Sequence, residues 1–302
     1  MKYAFIILLA SSVAIRAQVV KTNIRFASKP DYKEMKKAVR LKSNDTETSQ
    51  KAFQMEGPAW ENDLVGFRNY FDARNGIDIW GKRTDKMVLD SVGTGKDYHS
   101  MNWWGMDILK VGNSLGAGAI ALMIGDSVYR IGPGCKGTYR LICEKPDYSA
   151  FELKFEKWKV QDRCYTITHT INIAAGNRYY ESKVKIEGGK GDEFLVSGIV
   201  NLHSNQLYMI RENNRVIIAT HDKQGYSGEY LGMALMTSQT CFADTVTAPN
   251  SGAGITNTYM LKMKPDQNKE VRFRFYSCWE YENASFAKQE FFMDFLKSDM
   301  KK

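Results

Sequence analysis

The chain has 302 residues, of which 43% are hydrophobic and 25% are charged, and its formal net charge is +8. This length is ample for one large hydrophobic core or two small ones. The basic excess suits an acidic ligand such as a uronic-acid glycan. The chain has neither long Lys/Arg runs nor a nucleic-acid-binding motif, so we expect no nucleic-acid partner.

Residues 1–17 have the pattern of a secretory signal peptide. Lys2 precedes an apolar run at residues 4–10, and the small Ala17 stands before Gln18. The run is too short to span a bilayer. No cysteine follows the expected cleavage point, so nothing marks a lipid anchor, and no later run has membrane-spanning length. We expect an exported protein, periplasmic or secreted and without membrane insertion, whose mature chain is residues 18–302.

Residues 56–82 contain the densest group of charged and aromatic side chains. Between positions 67 and 72, Phe, Asn and Phe alternate with Arg68, Tyr70 and Asp72, which places the two sets on opposite faces of a strand. Sugars are held by planar aromatic rings and by charged groups that hydrogen-bond in pairs. We therefore predict that Trp60, Arg68, Tyr70 and Asp72 bind substrate. The alternative is an edge strand with a charged outer face.

A second dense segment, residues 97–110, contains His99, Trp103, Trp104 and Asp107. Neighbouring side chains of an extended segment face opposite ways, so we expect one of the two tryptophans to be buried, and Trp104 is our candidate for substrate binding. The glycines that follow this segment do not have the spacing of a dinucleotide-binding loop, which argues against a nucleotide cofactor. They are Gly112, Gly116 and Gly118.

From residue 138 onward, the sequence predicts one strand after another. Apolar and charged residues alternate at 151–156 and 180–186, and further strands are expected at 163–173, 193–202, 214–220, 230–237, 258–263 and 271–281. Residues 284–296 are predicted as a helix capped by Asn283, and residues 43–49 as a surface loop. No linker divides the chain, so we predict a single all-β domain, a large antiparallel β-sandwich with a C-terminal helix.

The four histidines differ in their surroundings. His169 lies on an apolar strand face and is expected in the core, and His221 is expected in a turn. His99 lies among aromatic residues, and His203 follows the end of a strand. We predict that His99 and His203 form a proton-handling pair, with Glu61 or Asp107 as the carboxylate that orients one of the two rings.

Five cysteines are spread through the chain without the paired spacing of a zinc site. Buried thiols are the favoured interpretation, and one bridge between Cys135 and Cys143 stays open. No metal site and no cofactor is predicted.

The two dense segments resemble a family of secreted Bacteroidetes proteins that carries a domain of unknown function, DUF4861. The similar motifs are residues 56–68, 70–72, 77–82 and 104–118. The resemblance covers most of the mature chain and implies a galactose-mutarotase-like supersandwich. It also implies a place in polysaccharide-utilisation systems, sometimes beside unsaturated-uronyl hydrolases. The family offers no catalytic residues that can be transferred to this sequence, and a fold alone does not give a function.

Three functions are compatible with this sequence. The first is a lyase or hydrolase that acts on oligosaccharides from acidic, pectin-like glycans. The second is a mutarotase-type epimerase, which needs one acid and one base across a sugar ring. The third is a glycan-binding protein without catalytic activity. Product mass separates the first from the other two, because cleavage changes mass and anomer exchange does not.

Overall fold

The computed structural model describes residues 19–40, 45–95 and 97–302, so the expected signal peptide lies outside the described residues. Strands dominate these residues. They are β1 Thr22–Arg25, β2 Ala27–Ser28, β3 Lys33–Glu34, β4 Lys37–Arg40, β5 Ala59–Asn62, β6 Val65–Asn69, β7 Ile77–Lys82, β8 Gly105–Asp107, β9 Ala117–Ile124, β10 Ser127–Arg130, β11 Lys136–Glu144, β12 Tyr148–Val160, β13 Arg163–Ala174, β14 Tyr179–Glu187, β15 Glu193–Val200, β16 Tyr208–Glu212, β17 Arg215–Asp222, β18 Leu231–Ser238, β19 Phe242–Thr247, β20 Thr258–Met263 and β21 Glu270–Trp279. The α-helices are α1 Thr46–Ala52 and α2 Gln289–Asp299.

The described residues form four sheets, in which every pair of neighbouring strands is antiparallel; the smallest is the two-stranded sheet of β2 and β3. The large sheet has the order β16-β17-β18-β21-β14-β13-β12-β11-β4. The first small sheet has the order β1-β5-β6-β7-β8, and the second small sheet has the order β10-β9-β15-β20-β19. The predicted all-β antiparallel architecture is confirmed, and each of the six further strands predicted after residue 160 is present with small shifts at its ends.

The core lies between the inner face of the large sheet and the two small sheets. Trp60 of the first small sheet packs against Phe151 and Tyr180 of the large sheet, with ring centroids 5.1 Å and 5.3 Å away. The second small sheet approaches closely through Gly118, whose φ is +85°. A Cβ there would lie 2.3 Å from Oη of Tyr180, so only glycine allows this contact.

The C-terminal helical segment packs on the outer face of the large sheet. Asn283 accepts a hydrogen bond from the Ser285 backbone amide at 3.0 Å, which confirms its predicted cap. A short 3-10 helix, Ala284–Ala287, precedes α2, so the helical segment is broken at Lys288. Phe292 and Leu296 of α2 form a buried apolar cluster with Ile217 of β17 and Tyr276 of β21.

Some sequence predictions need correction. The loop predicted at 43–49 is helical from Thr46, because Asp45 accepts a hydrogen bond from the Thr48 amide at 2.8 Å and so caps α1. His221 is buried at the end of β17 and binds the Phe286 carbonyl oxygen at 2.7 Å instead of lying in an open turn. Cys143 is a free thiol. Within the described ranges, no helix is long and apolar enough to cross a membrane.

Candidate functional site

The polar face of the first small sheet carries most of the predicted site. Strand register places Arg68 of β6 directly opposite Asp78 of β7, and Trp80 of β7 opposite Asp107 of β8. Because directly opposed residues share a face, these side chains project together, away from the core. β6 is a central strand of its sheet, which contradicts the edge-strand alternative.

A long connection between β7 and β8 covers this polar face. We call residues 83–95 and 97–104 the covering segment. Its Val88, Leu89 and Trp104 form a small apolar cluster with Trp80 of the sheet. Arg68 lies on this face as the alternation predicted, but β6 ends at Asn69, so Tyr70 and Asp72 follow the strand. The polar face is also enclosed and does not form an open floor for a sugar.

Arg68 lies at the centre of the enclosed cluster and is only 2% exposed. Its guanidinium group is 2.9 Å from the Asp78 carboxylate, 3.0 Å from Asp107 and 3.4 Å from Glu56. The hydroxyl of Tyr98 accepts a further bond from it at 3.3 Å. These carboxylates already balance the charge of Arg68, so a role in neutralising a substrate carboxylate does not fit its position.

Asp78 and Asp107 form a coupled carboxyl pair beside Arg68. Burial, followed by the neighbouring Asp78, raises the pKa of Asp107 well above its usual range. Tyr70 donates a hydrogen bond of 2.6 Å to Asp78, and burial raises the pKa of this phenol as well. The arrangement therefore favours the protonated form of Asp107.

His99 connects this buried pair to the surface. Its side chain is 44% exposed, and its Nε2 lies 3.8 Å from Oδ2 of Asp107. Asp97 holds the other ring nitrogen at 2.9 Å. The rings of Tyr98 and Tyr226 lie 4.5 Å and 5.8 Å from the His99 ring. The structure therefore brings His99 and Asp107 together, and it joins the two dense segments of the sequence.

Glu61 lies in a separate part of the polar face, where it forms hydrogen bonds with the covering segment. It is fully buried, accepts bonds from the Val88 and Leu89 amides at 2.7 Å and 2.9 Å, and lies 2.6 Å from the Lys82 ammonium group. With its oxygens occupied in this way, Glu61 does not orient either predicted histidine.

Trp60, Asp72 and Trp104 are almost completely buried. Trp60 is fully buried in the core between the sheets, and Asp72 is 1% exposed and binds Arg74 at 2.7 Å. Trp104 is 4% exposed and packs edge-to-face on Trp80. As expected, only one of the adjacent tryptophans is buried, but it is Trp104 that is buried.

Trp103 is the exposed member of the tryptophan pair, with 62% of its surface accessible. It lines a cavity of about 290 Å³ together with Tyr98, Asn102, Trp104 and residues 91–95 of the covering segment. Tyr226, which is 49% exposed, flanks His99 from a distant loop. The alternation of an extended segment does not tell which of Trp103 and Trp104 is exposed, and no sequence pattern predicted Tyr226 at this site.

His203 does not join the cluster. It is exposed after β15, and within the described residues no hydrogen bond, ion pair or ring contact connects it to His99. His169 is buried and 2.9 Å from the Ser182 hydroxyl, which confirms its predicted place in the core. Among the described residues, no group of three or more His, Cys, Asp or Glu side chains has a geometry that holds a metal ion.

Comparison with known proteins agrees with the resemblance seen in the sequence. No curated protein matches the chain. The profile of the family described as Domain of unknown function (DUF4861) matches residues 3–302. Because this match spans nearly the whole chain, the protein belongs to the DUF4861 family.

Proposed function

We propose that the chain is an exported carbohydrate-active enzyme, a lyase or hydrolase that acts on oligosaccharides from acidic, uronate-containing glycans. One observation carries the proposal: the exposed imidazole of His99 lies 3.8 Å from Asp107, a buried carboxyl group whose pKa is strongly raised. A buried ionisable cluster with a perturbed pKa and one exit to solvent is typical of acid–base sites.

Two kinds of cleavage fit this arrangement. In a lyase, His99 would remove the proton from the carbon next to a uronate carboxylate, while a tyrosine or the carboxyl pair protonates the leaving oxygen. In a hydrolase, His99 would activate water. In both reactions Asp107, whose Oδ2 lies 3.8 Å from Nε2 of His99, would act on the imidazole that carries the proton.

The surroundings of His99 support a sugar substrate. Tyr226 and Trp103 expose large aromatic surfaces, and the cavity beside Trp103 has room for a small ligand. Polar groups line the same cavity, including Asn102. The net charge of +8 favours an anionic glycan, although Arg68 does not supply the neutralising charge. Periplasmic or secreted location and a role in polysaccharide utilisation belong to this proposal.

A glycan-binding protein without catalysis is the second candidate. One observation favours it: Arg68, Arg74 and their carboxylate partners satisfy one another within the protein, as they would in a purely structural network. A mutarotase-type epimerase remains the third candidate, since His99 and Asp107 form an acid and a base in one place.

Incubation with acidic oligosaccharides, followed by mass analysis of the products, tests the proposal. A lyase gives unsaturated fragments without adding water, and a hydrolase adds one water per cleavage. The exposed aromatic variants Tyr226→Ala and Trp103→Ala should weaken substrate binding, whereas Tyr148→Ala, equally aromatic and exposed on β12, is the matched control. Unchanged mass with every acidic substrate would reject cleavage, and anomer exchange would then identify an epimerase.

A further inference from the structure

The outer face of the large sheet carries a charged cleft far from the His99 cluster. Its volume is about 350 Å³, and it is lined by residues of β13, β14, β17, β18, β21 and the turn before β17. The first small sheet, whose covering segment contains His99, packs on the opposite, inner face of the large sheet. The cleft is therefore separate from the proposed active site.

Cations outnumber carboxylates in the cleft wall. Four of the lining residues are basic and one is acidic, namely Lys183, Arg215, Arg272 and Arg274 against Glu181. Glu181 binds Arg274 at 2.8 Å. Glu270 is shared between Lys183 at 3.4 Å and Arg272 at 3.2 Å, so one carboxylate serves two cations.

Two arginines of the cleft use few of their N–H donors in hydrogen bonds with the described residues, so the other donors can bind a ligand. Arg272 is 71% exposed at its side chain and forms one bond, to Glu270. Arg215 has no carboxylate side chain as partner among the described residues, and its one side-chain bond goes to the backbone carbonyl oxygen of Asp299 at 3.2 Å. A guanidinium group has five N–H donors, so both can bind a carboxylate.

Three asparagine side chains complete the cleft. Asn172, Asn213 and Asn214 all line it, and none of their amide groups forms a hydrogen bond within the part of the chain that the structure describes. Asn213 and Asn214 form the two-residue turn between β16 and β17, with φ values of +51° and +57°. This tight turn holds their amides at the cleft. An amide both donates and accepts, as sugar hydroxyls require.

We infer that this cleft binds a uronic acid residue of an oligosaccharide, with the carboxylate on Arg215 and Arg272 and the hydroxyls on the asparagine amides. The choice of a sugar rests on the proposed function, whereas the choice of an anion rests on the cleft itself. The site gives the enzyme a second contact with an acidic glycan, on the opposite side of the large sheet from His99.

Calorimetric titration of the full chain with a trimer of galacturonic acid, and with the neutral trimer of galactose, tests this inference. The acidic trimer should bind at the cleft and the neutral trimer should not. Arg272→Ala should remove detectable binding at the cleft, and Asn214→Gly, which keeps the positive φ, should weaken it. Arg140→Ala is the matched control, because Arg140 pairs with Glu152 at 3.2 Å on the same face outside the cleft.

The number of bound trimers separates this inference from the proposed function. If both are correct, the wild type binds two trimers and Arg272→Ala loses one of them. If no trimer binds near His99, the wild type binds one trimer and Arg272→Ala loses it. The cleft is then a binding site although the proposed function is wrong. An equal loss in Arg140→Ala and Arg272→Ala, equal binding of the neutral trimer, or a wild-type stoichiometry that Arg272→Ala leaves unchanged would overturn the inference.

Discussion

The ionisation of the carboxyl groups near His99 depends on the segment that covers them. Asp107 and Asp78 lie on a sheet face that would ordinarily be solvated, yet the covering segment removes water from both carboxyl groups. Desolvation disfavours the charged form, and two carboxyl groups beside one guanidinium cannot both lose their protons without repulsion. The side chain of His99 lies beside Asp107 and is exposed, so we expect proton exchange with solvent at His99.

The protonation state of Asp107 gives a prediction about stability. Its folded-state pKa is raised, so the native protein binds a proton that the unfolded chain releases once the pH exceeds the ordinary aspartate pKa, and this residue lowers stability as pH rises. Asp107→Asn removes that titration. Between about pH 5 and about pH 8, the free energy of unfolding should therefore fall less in the variant than in the wild type. Urea unfolding measures it, with Asp126→Asn, on an exposed turn, as the control.

The role of His99 gives a second prediction. His99→Gln keeps a hydrogen-bonding side chain but loses the proton transfer, so turnover on an acidic oligosaccharide should fall roughly a hundredfold or more. The melting temperature should change little, because the side chain is exposed. Met101→Ala, in the same segment and 42% exposed, is the control. A large loss of melting temperature in His99→Gln would identify His99 as structural. A loss of turnover in His203→Gln as large as that in His99→Gln would support the predicted proton-handling pair of His99 and His203.

Secondary-structure elements of this chain were more predictable than the enclosure of their faces. Period-two alternation predicted that Arg68, Tyr70 and Asp72 share a face, because strand geometry is local. The burial of that face depends on the covering segment, which follows β7 in the chain but has no regular pattern that predicts where it folds. For the same reason Trp60 and Trp104 were predicted to bind substrate, and Glu61 to orient a histidine, although all three side chains are buried. The helix α1 was missed because its cap, Asp45, is also a common loop residue.

The ion pair of Glu61 and Lys82 predicts how the covering segment is held. Both side chains are fully buried, so removal of one charge leaves the other without a partner. Lys82→Met should therefore lower the free energy of unfolding by about 3–5 kcal/mol. The double variant Glu61→Gln, Lys82→Met should recover part of this loss. Lys86→Met, which changes an exposed residue of the covering segment, is the control. Equal effects of Lys82→Met and Lys86→Met in urea unfolding would contradict the assignment.

At the scale of the whole molecule, the large sheet separates two environments. Its inner face contacts both small sheets through apolar rings and branched side chains, and its outer face carries charged rows, α2 and the basic cleft. A titratable group on the inner face is therefore far from water on every side. His169 is such a group, and it lies opposite Leu153 and Val184 on the neighbouring strands.

The burial of His169 predicts a loss of stability in weak acid. Burial lowers the pKa of His169 to about 3, whereas an unfolded chain titrates near the ordinary histidine value of 6.5. Below that value the unfolded state binds a proton that the native state does not bind, so the free energy of unfolding falls as the pH falls. From about pH 6.5 to about pH 5 this residue should cost about 2 kcal/mol. His169→Gln, which retains a partner for Ser182, should lack this part of the loss, whereas the exposed His203→Gln should keep it. Parallel pH profiles of unfolding free energy in wild type and His169→Gln would show that His169 is protonated in the folded protein.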